Sequence, residues 1–177
     1  MHKVKQGEVT YLGILFERYH QEMYWFYLRT TQHKESSEDL VQMLFERVLK
    51  YKHTFKGTAK FRTWLYQIAI NLKTDYFKQQ NRQPYMQQIT PLQELLPEND
   101  STAESEEKVA LLNKALNQLS IEKKELIILA KYQKCKYEEL ATIKKTSVSN
   151  IKVKVHRVLK ELKEKYLTLQ AQCCNEL

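Results

Sequence analysis

Three groupings of residues in this 177-residue chain have the types and spacing to do chemistry. In the first, Tyr66, Ile70 and Phe77 alternate with Thr63, Gln67, Lys73, Thr74 and Lys78 along one candidate helix. Cations that neutralise phosphates beside rings that stack on unpaired bases suit single-stranded nucleic acid, at about 1–3 kcal/mol per stacked base; the alternative, which periodicity alone favours, is that these aromatics pack against another helix. In the second, Ser149, Asn150, Lys152, Val153, Lys154, His156 and Arg157 stand outward or at the flanks of a later candidate helix. Amides and cations near a helix start can meet base edges and phosphates in a major groove. The third is Glu17-x-x-His20, half of a di-iron carboxylate pattern. That pattern needs a second Glu-x-x-His, the sequence has none, and His20 is read as a polar helix edge. Cys135, Cys173 and Cys174 lack the paired spacing of a zinc site and are read as reduced thiols.

The charge is distributed to match the first two groupings. Lys and Arg number 29 against 21 Asp and Glu, a formal net charge of +8. Residues 47–82 hold nine Lys or Arg and one acid, Asp75; residues 144–165 hold eight against Glu161 and Glu164. Between the basic blocks, residues 83–107 have no Lys or Arg, six acids and all three prolines, Pro84, Pro91 and Pro97. Such a segment has no helical periodicity around which to pack a core, so it is expected to be an extended linker. The chain is therefore expected to form two basic domains, 1–82 and 108–177, joined by that linker.

The elements that must position these residues are helices, since the chain has only 3 Gly and 3 Pro. Leu12, Leu15, Phe16, Tyr19, Met23, Phe26 and Tyr27 form one apolar stripe. A second helix is predicted to open at Ser36-Ser37-Glu38-Asp39 as a capping box, burying Leu40, Val41, Leu44, Phe45 and Val48. Its other face shows Asp39, Gln42, Glu46 and Arg47. After a loop around Gly57, a third helix has the stripe Phe61, Trp64, Leu65, Ile68, Ala69, Leu72 and Tyr76, which leaves Tyr66 outward and Trp64 structural. In the second domain Val109, Leu112, Ala115, Leu116 and Leu119 form a helix, and Ser120 is placed to cap the next. Tyr137 to Ala141, a turn through Lys144 to Ser147, and Val148 to Leu162 then have the form of a helix-turn-helix, with Ile151, Val155, Val158, Leu159 and Leu162 inward. The fold class is all-α.

The order of these pieces resembles the extracytoplasmic-function type of bacterial sigma factor over nearly the whole chain. "SSEDLVQMLFERV" looks like that family's polymerase-clamp-binding helix, and "KFRTWLYQIAINLKTDYFKQQNR" is similar to its promoter-melting helix. The stretch from Ala115 to Leu162 resembles the domain that reads the distal promoter element. The resemblance implies that Asp39, Gln42, Glu46 and Arg47 dock on the clamp helices of core RNA polymerase. It implies that the loop Phe55 to Lys60, with Lys56 and Thr58, cradles a flipped non-template base. Arg62, Trp64, Tyr66, Gln67, Asn71, Thr74 and Lys78 match the part that supports or contacts the proximal element, and Ser149, Asn150, Lys152, Val153, Lys154, His156 and Arg157 fall on the recognition helix. Lys145 departs from the family where a turn glycine is common, and Gln67 where an arginine is frequent.

Partners implied are core RNA polymerase, promoter DNA in duplex and single-stranded form, and an anti-sigma factor. No cofactor and no catalytic chemistry are called for. The amino terminus lacks an apolar signal core and no run is long enough to span a membrane, so a cytoplasmic location is expected. The competing expectation is a free-standing helix-turn-helix regulator, which leaves the aromatic and basic third helix and the Asp39/Gln42/Glu46 face without a use.

Overall fold

The computed structural model describes residues 1–80 and 103–175, with side chains given for 1–79 and 107–172. Every regular element among the described residues is helical: α1 (His2–Lys5), α2 (Thr10–Thr31), α3 (Lys34–Lys50), a 3₁₀ turn (Lys52–Thr54), α4 (Phe61–Gln80), α5 (Ala103–Asn117), α6 (Ile121–Ile127) continued by a π-helical turn (Ile128–Tyr132), α7 (Tyr137–Ile143) and α8 (Val148–Asn175). The all-α expectation holds. The chain separates into two compact units, one centred on α1–α4 and the other on α5–α8. Most of the expected linker lies outside the described residues. Its last part, 103–107, belongs to α5 instead, where no proline remains to interrupt a helix.

In the first unit α3 packs against both α2 and α4. Met23, Phe26, Tyr27 and Leu28 of α2, Leu40, Leu44 and Val48 of α3, and Leu65, Tyr66, Ala69 and Leu72 of α4 are almost wholly buried. The link between α2 and α3 differs from the predicted capping box. Gln32 takes a left-handed conformation (φ 60°), its N–H closing on the Leu28 carbonyl at 2.8 Å, which ends α2. The extended His33 is then the cap: its Nδ1 accepts from the Ser36 N–H at 3.2 Å. Ser36 and Ser37 lie buried inside the first turn, where they tie helices together. Ser37 Oγ donates to the His33 carbonyl at 2.6 Å and sits 2.9 Å from Thr31 Oγ1, while Tyr76 OH of α4 donates to Ser36 Oγ at 3.0 Å.

In the second unit α5 and α6 pack on α8. The core holds Ala115, Leu116, Ile127, Ile128, Leu129, Leu140, Ile151 and Val155. Ser120 occupies the position before α6 in extended conformation, but its side chain makes no capping bond. The turn between α7 and α8 passes through Lys145 with φ 50°, the left-handed conformation that explains why glycine suits this place. Helix α8 runs on to Asn175, well past the predicted end at Leu162.

Candidate nucleic-acid interface

On α8 the inward and outward sets separate cleanly. Ile151, Val155, Val158 and Leu162 are buried, and Ser149, Asn150, Lys152, Val153, Lys154, His156 and Arg157 are all exposed, Val153 at 46%. Ser147 starts the helix, its Oγ accepting from the Asn150 N–H at 3.2 Å. The Asn150 side chain donates one N–H to Thr146 Oγ1 at 2.8 Å. Its second N–H and its carbonyl oxygen still form the donor and acceptor pair that matches adenine in a major groove. Lys160 is also exposed and lies in line with Val153 and Arg157, seven and three residues on, a helical spacing that sequence reasoning overlooked.

Helix α4 is turned about its axis relative to expectation. Tyr66, predicted outward, is fully buried: its ring meets Phe26 edge-on at 5.4 Å and its OH donates to Glu22 Oε1 at 2.7 Å. The same carboxylate takes a 2.6 Å bond from Arg62 Nε, so Arg62 and Tyr66 both serve to fix α4 on α2. Thr63 and Lys73, also predicted outward, are buried, only 4% and 2% exposed, with Lys73 Nζ 5.9 Å from the centre of the Phe26 ring. Tyr66 is therefore corrected from a base-stacking ring to a core residue. Close by, burial pushes the phenol of Tyr27 well above the usual tyrosine range, and its OH donates to the Ala69 carbonyl at 3.3 Å.

Gln67, Asn71, Thr74 and Lys78 remain at i, i+4, i+7 and i+11, one line about 17 Å long at 1.5 Å per residue. Asn71, Thr74 and Lys78 are exposed and Gln67 is half-buried.

The loop before α4 is built on an aromatic box. Phe55, expected to face a base, is 5% exposed and packs on Trp64 at 5.4 Å, Phe61 at 6.1 Å and His2 at 5.6 Å. It anchors the loop from beneath. Lys56, Thr58 and Lys60 are exposed, and the half-buried Phe61 and Trp64 form the rim of the box.

On α3, Asp39, Gln42 and Glu46 are exposed on one face, as expected. Arg47 lies at its border, half-buried, with Nη1 2.9 Å from Asp75 Oδ2 of α4. Sequence reasoning missed Met43, 37% exposed one turn on from Asp39, which adds an apolar side chain at the edge of this acidic face. His20, read as a polar helix edge, stacks on Phe16 at 5.0 Å, with its Nδ1 near the Phe16 and Glu17 carbonyls.

Two family models match the chain: Sigma-70 region 2 over residues 15–83 and Sigma-70 region 4 over residues 110–162. The ECF RNA polymerase sigma factor SigX of Bacillus subtilis is 34% identical over 161 residues, covering 85% of this chain and 81% of the relative. The RNA polymerase sigma factor YlaC of the same organism is 29% identical over 157 residues, covering 85% and 88%. Among solved structures, the sigma factor RpoE of Bartonella quintana, in complex with the anti-sigma factor NepR, superposes with a TM-score of 0.69 at 21% identity, covering 86% of this chain and 94% of that one. CnrH, in complex with the cytosolic domain of CnrY, superposes at 0.67 and 18% identity, covering 92% of each. Two matched regions in the order of the two units, together with a relative 34% identical over most of both chains, place the chain in the family of extracytoplasmic-function RNA polymerase sigma factors, which act in promoter-directed initiation of transcription.

Proposed function

We propose that the two units divide the work of promoter recognition between binding surfaces and carry out no covalent chemistry of their own. The observation that carries this reading is the segregation on α8, where every side chain assigned to DNA is exposed over a continuous buried stripe. The first unit docks on the clamp helices of core polymerase through Asp39, Gln42, Met43 and Glu46. It presents Gln67, Asn71, Thr74 and Lys78 to the proximal element. Lys56, Thr58 and Lys60 hold an unstacked base of the opening duplex against the rim of Phe61 and Trp64. The second unit reads the distal element through Asn150 and Arg157, with Lys152 and Lys154 on phosphates.

Melting follows from differential binding. Each base step opened loses about 1.4 kcal/mol of stacking, and each base–aromatic contact returns about 1–3 kcal/mol. With Tyr66 and Phe55 committed to the core, few rings are left to capture bases, so open-complex formation should lean on the quality of the promoter. The chain acts in the cytoplasm, where polymerase works, consistent with the lack of any described helix long and apolar enough to cross a membrane. An anti-sigma factor is a fitting regulator, since the Bartonella quintana sigma factor is bound to the anti-sigma factor NepR and CnrH to the cytosolic domain of CnrY in their solved structures.

Docking is tested by reversing charge on the exposed face of α3. Gln42→Lys with Glu46→Lys should weaken binding to core polymerase at least tenfold, about 1.4 kcal/mol, and leave the helical circular-dichroism signal intact, because neither side chain is buried. A double variant that binds core polymerase as the parent does would remove α3 as the docking face.

A further inference from the structure

Helix α1 lies ahead of the region matched by the family model, which begins at residue 15, yet it packs onto the loop that precedes α4. Three contacts converge there. The His2 ring meets Phe55 at 5.6 Å, and Lys5 Nζ donates to the Phe55 carbonyl at 3.3 Å. Gly57, with φ +76°, lies so close beneath His2 that an added Cβ would be 2.9 Å from His2 Cε1 and 3.2 Å from Nε2. Helix α1 is itself fastened: Val4 is fully buried, and Lys3 Nζ donates to Tyr11 OH of α2 at 2.7 Å.

We propose that α1 is a latch on the loop of residues 55–60, and that His2 and Lys5 are positioning residues holding it in the shape presented to an unstacked base. The inference rests on the base-capturing reading of that loop given above. Its physical basis is preorganisation. A loop that must be ordered when a base arrives loses conformational entropy at that moment, and a loop already held does not. The exposed residues Lys56, Gly57 and Thr58 include a glycine in the left-handed region, so their own backbone preferences do not fix the loop; the Phe55 anchor and α1 do.

The test uses full-length chains carrying His2→Ala, His2→Phe, Lys5→Met or Gly57→Ala, and the pair His2→Ala with Gly57→Ala. Hydrogen exchange at the loop amides, including Thr54 and Phe55, which bond to the Tyr51 and Lys52 carbonyls, reports whether the loop is held. Reconstituted holoenzyme on duplex and on pre-melted bubble templates reports whether holding matters. His2→Ala and Lys5→Met should speed exchange over residues 52–60 without changing α3 or α4. They should lower open-complex formation on duplex DNA by about tenfold, an effect of the size that preorganisation commonly gives, with much of the activity restored on the bubble. His2→Phe keeps a ring on Phe55 and should keep both properties. Gly57→Ala should do less damage in the His2→Ala background than in the parent, since the ring it strikes is gone. Unchanged exchange in both His2→Ala and Lys5→Met overturns the latch. Exchange that rises while duplex and bubble templates lose activity equally shows a held loop with no part in base capture, which overturns the reading beneath the proposal.

Discussion

At the scale of single residues, Glu22 organises the first unit more than any cation does. One carboxylate receives both Arg62 and Tyr66, and so sets which face of α4 is buried. The consequence is measurable without DNA. Tyr66→Phe keeps the ring against Phe26 and leaves Glu22 its Arg62 partner, so the loss should be about 1 kcal/mol. Tyr66→Ala empties a packed site and should cost about 3–5 kcal/mol. Urea denaturation reads both. A Tyr66→Ala chain of parental stability that fails only in promoter opening would restore the ring to the role first expected of it.

Between helices, α8 and α4 show what is legible in a sequence and what is not. On α8 the buried positions are all aliphatic, Ile151, Val155, Val158 and Leu162, so spacing alone defines the face, and the outward set stands where it was expected. On α4 the buried face includes Thr63, Tyr66 and Lys73, whose polar tips suggest solvent. Their burial depends on other elements, through Glu22 for Tyr66 and the Phe26 ring beneath Lys73, and no local pattern contains that information. The start of α3 was hidden for a related reason. Histidine is seldom a cap, and its use follows from the left-handed turn at Gln32, while the serines that looked like a capping box bond to Thr31 and Tyr76 instead. For α8 the clear segregation yields a sharp expectation. Asn150→Ala or Arg157→Ala should relax preference at one or two positions of the distal element, at about 1–3 kcal/mol per lost paired contact. Lys152→Ala or Lys154→Ala should weaken all sequences alike and flatten the salt dependence by about 0.9 in slope. Binding to a panel of single-base variants at several salt concentrations separates the two; a preference profile unmoved in both Asn150→Ala and Arg157→Ala would count against base reading by this helix.

For the molecule as a whole, two compact units with separate cores mean that stability is not one number. Scanning calorimetry of the full chain should show two heat-absorption steps, and Tyr66→Phe should lower one of them by about 4–8 °C per kcal/mol while leaving the other in place. A single step moved bodily by that substitution would mean that the cores melt together. The aromatic box beneath the loop has a further, optical consequence. Both tryptophans of the chain, Trp25 and Trp64, belong to the first unit, and Trp64 stands at the rim of the box beside Phe55 and Phe61. The second unit is dark at excitation wavelengths that only indole absorbs. The intrinsic emission of the free protein therefore reports on the first unit alone, and a change in Trp64 emission on adding single-stranded DNA is the expected optical sign if a base reaches the rim.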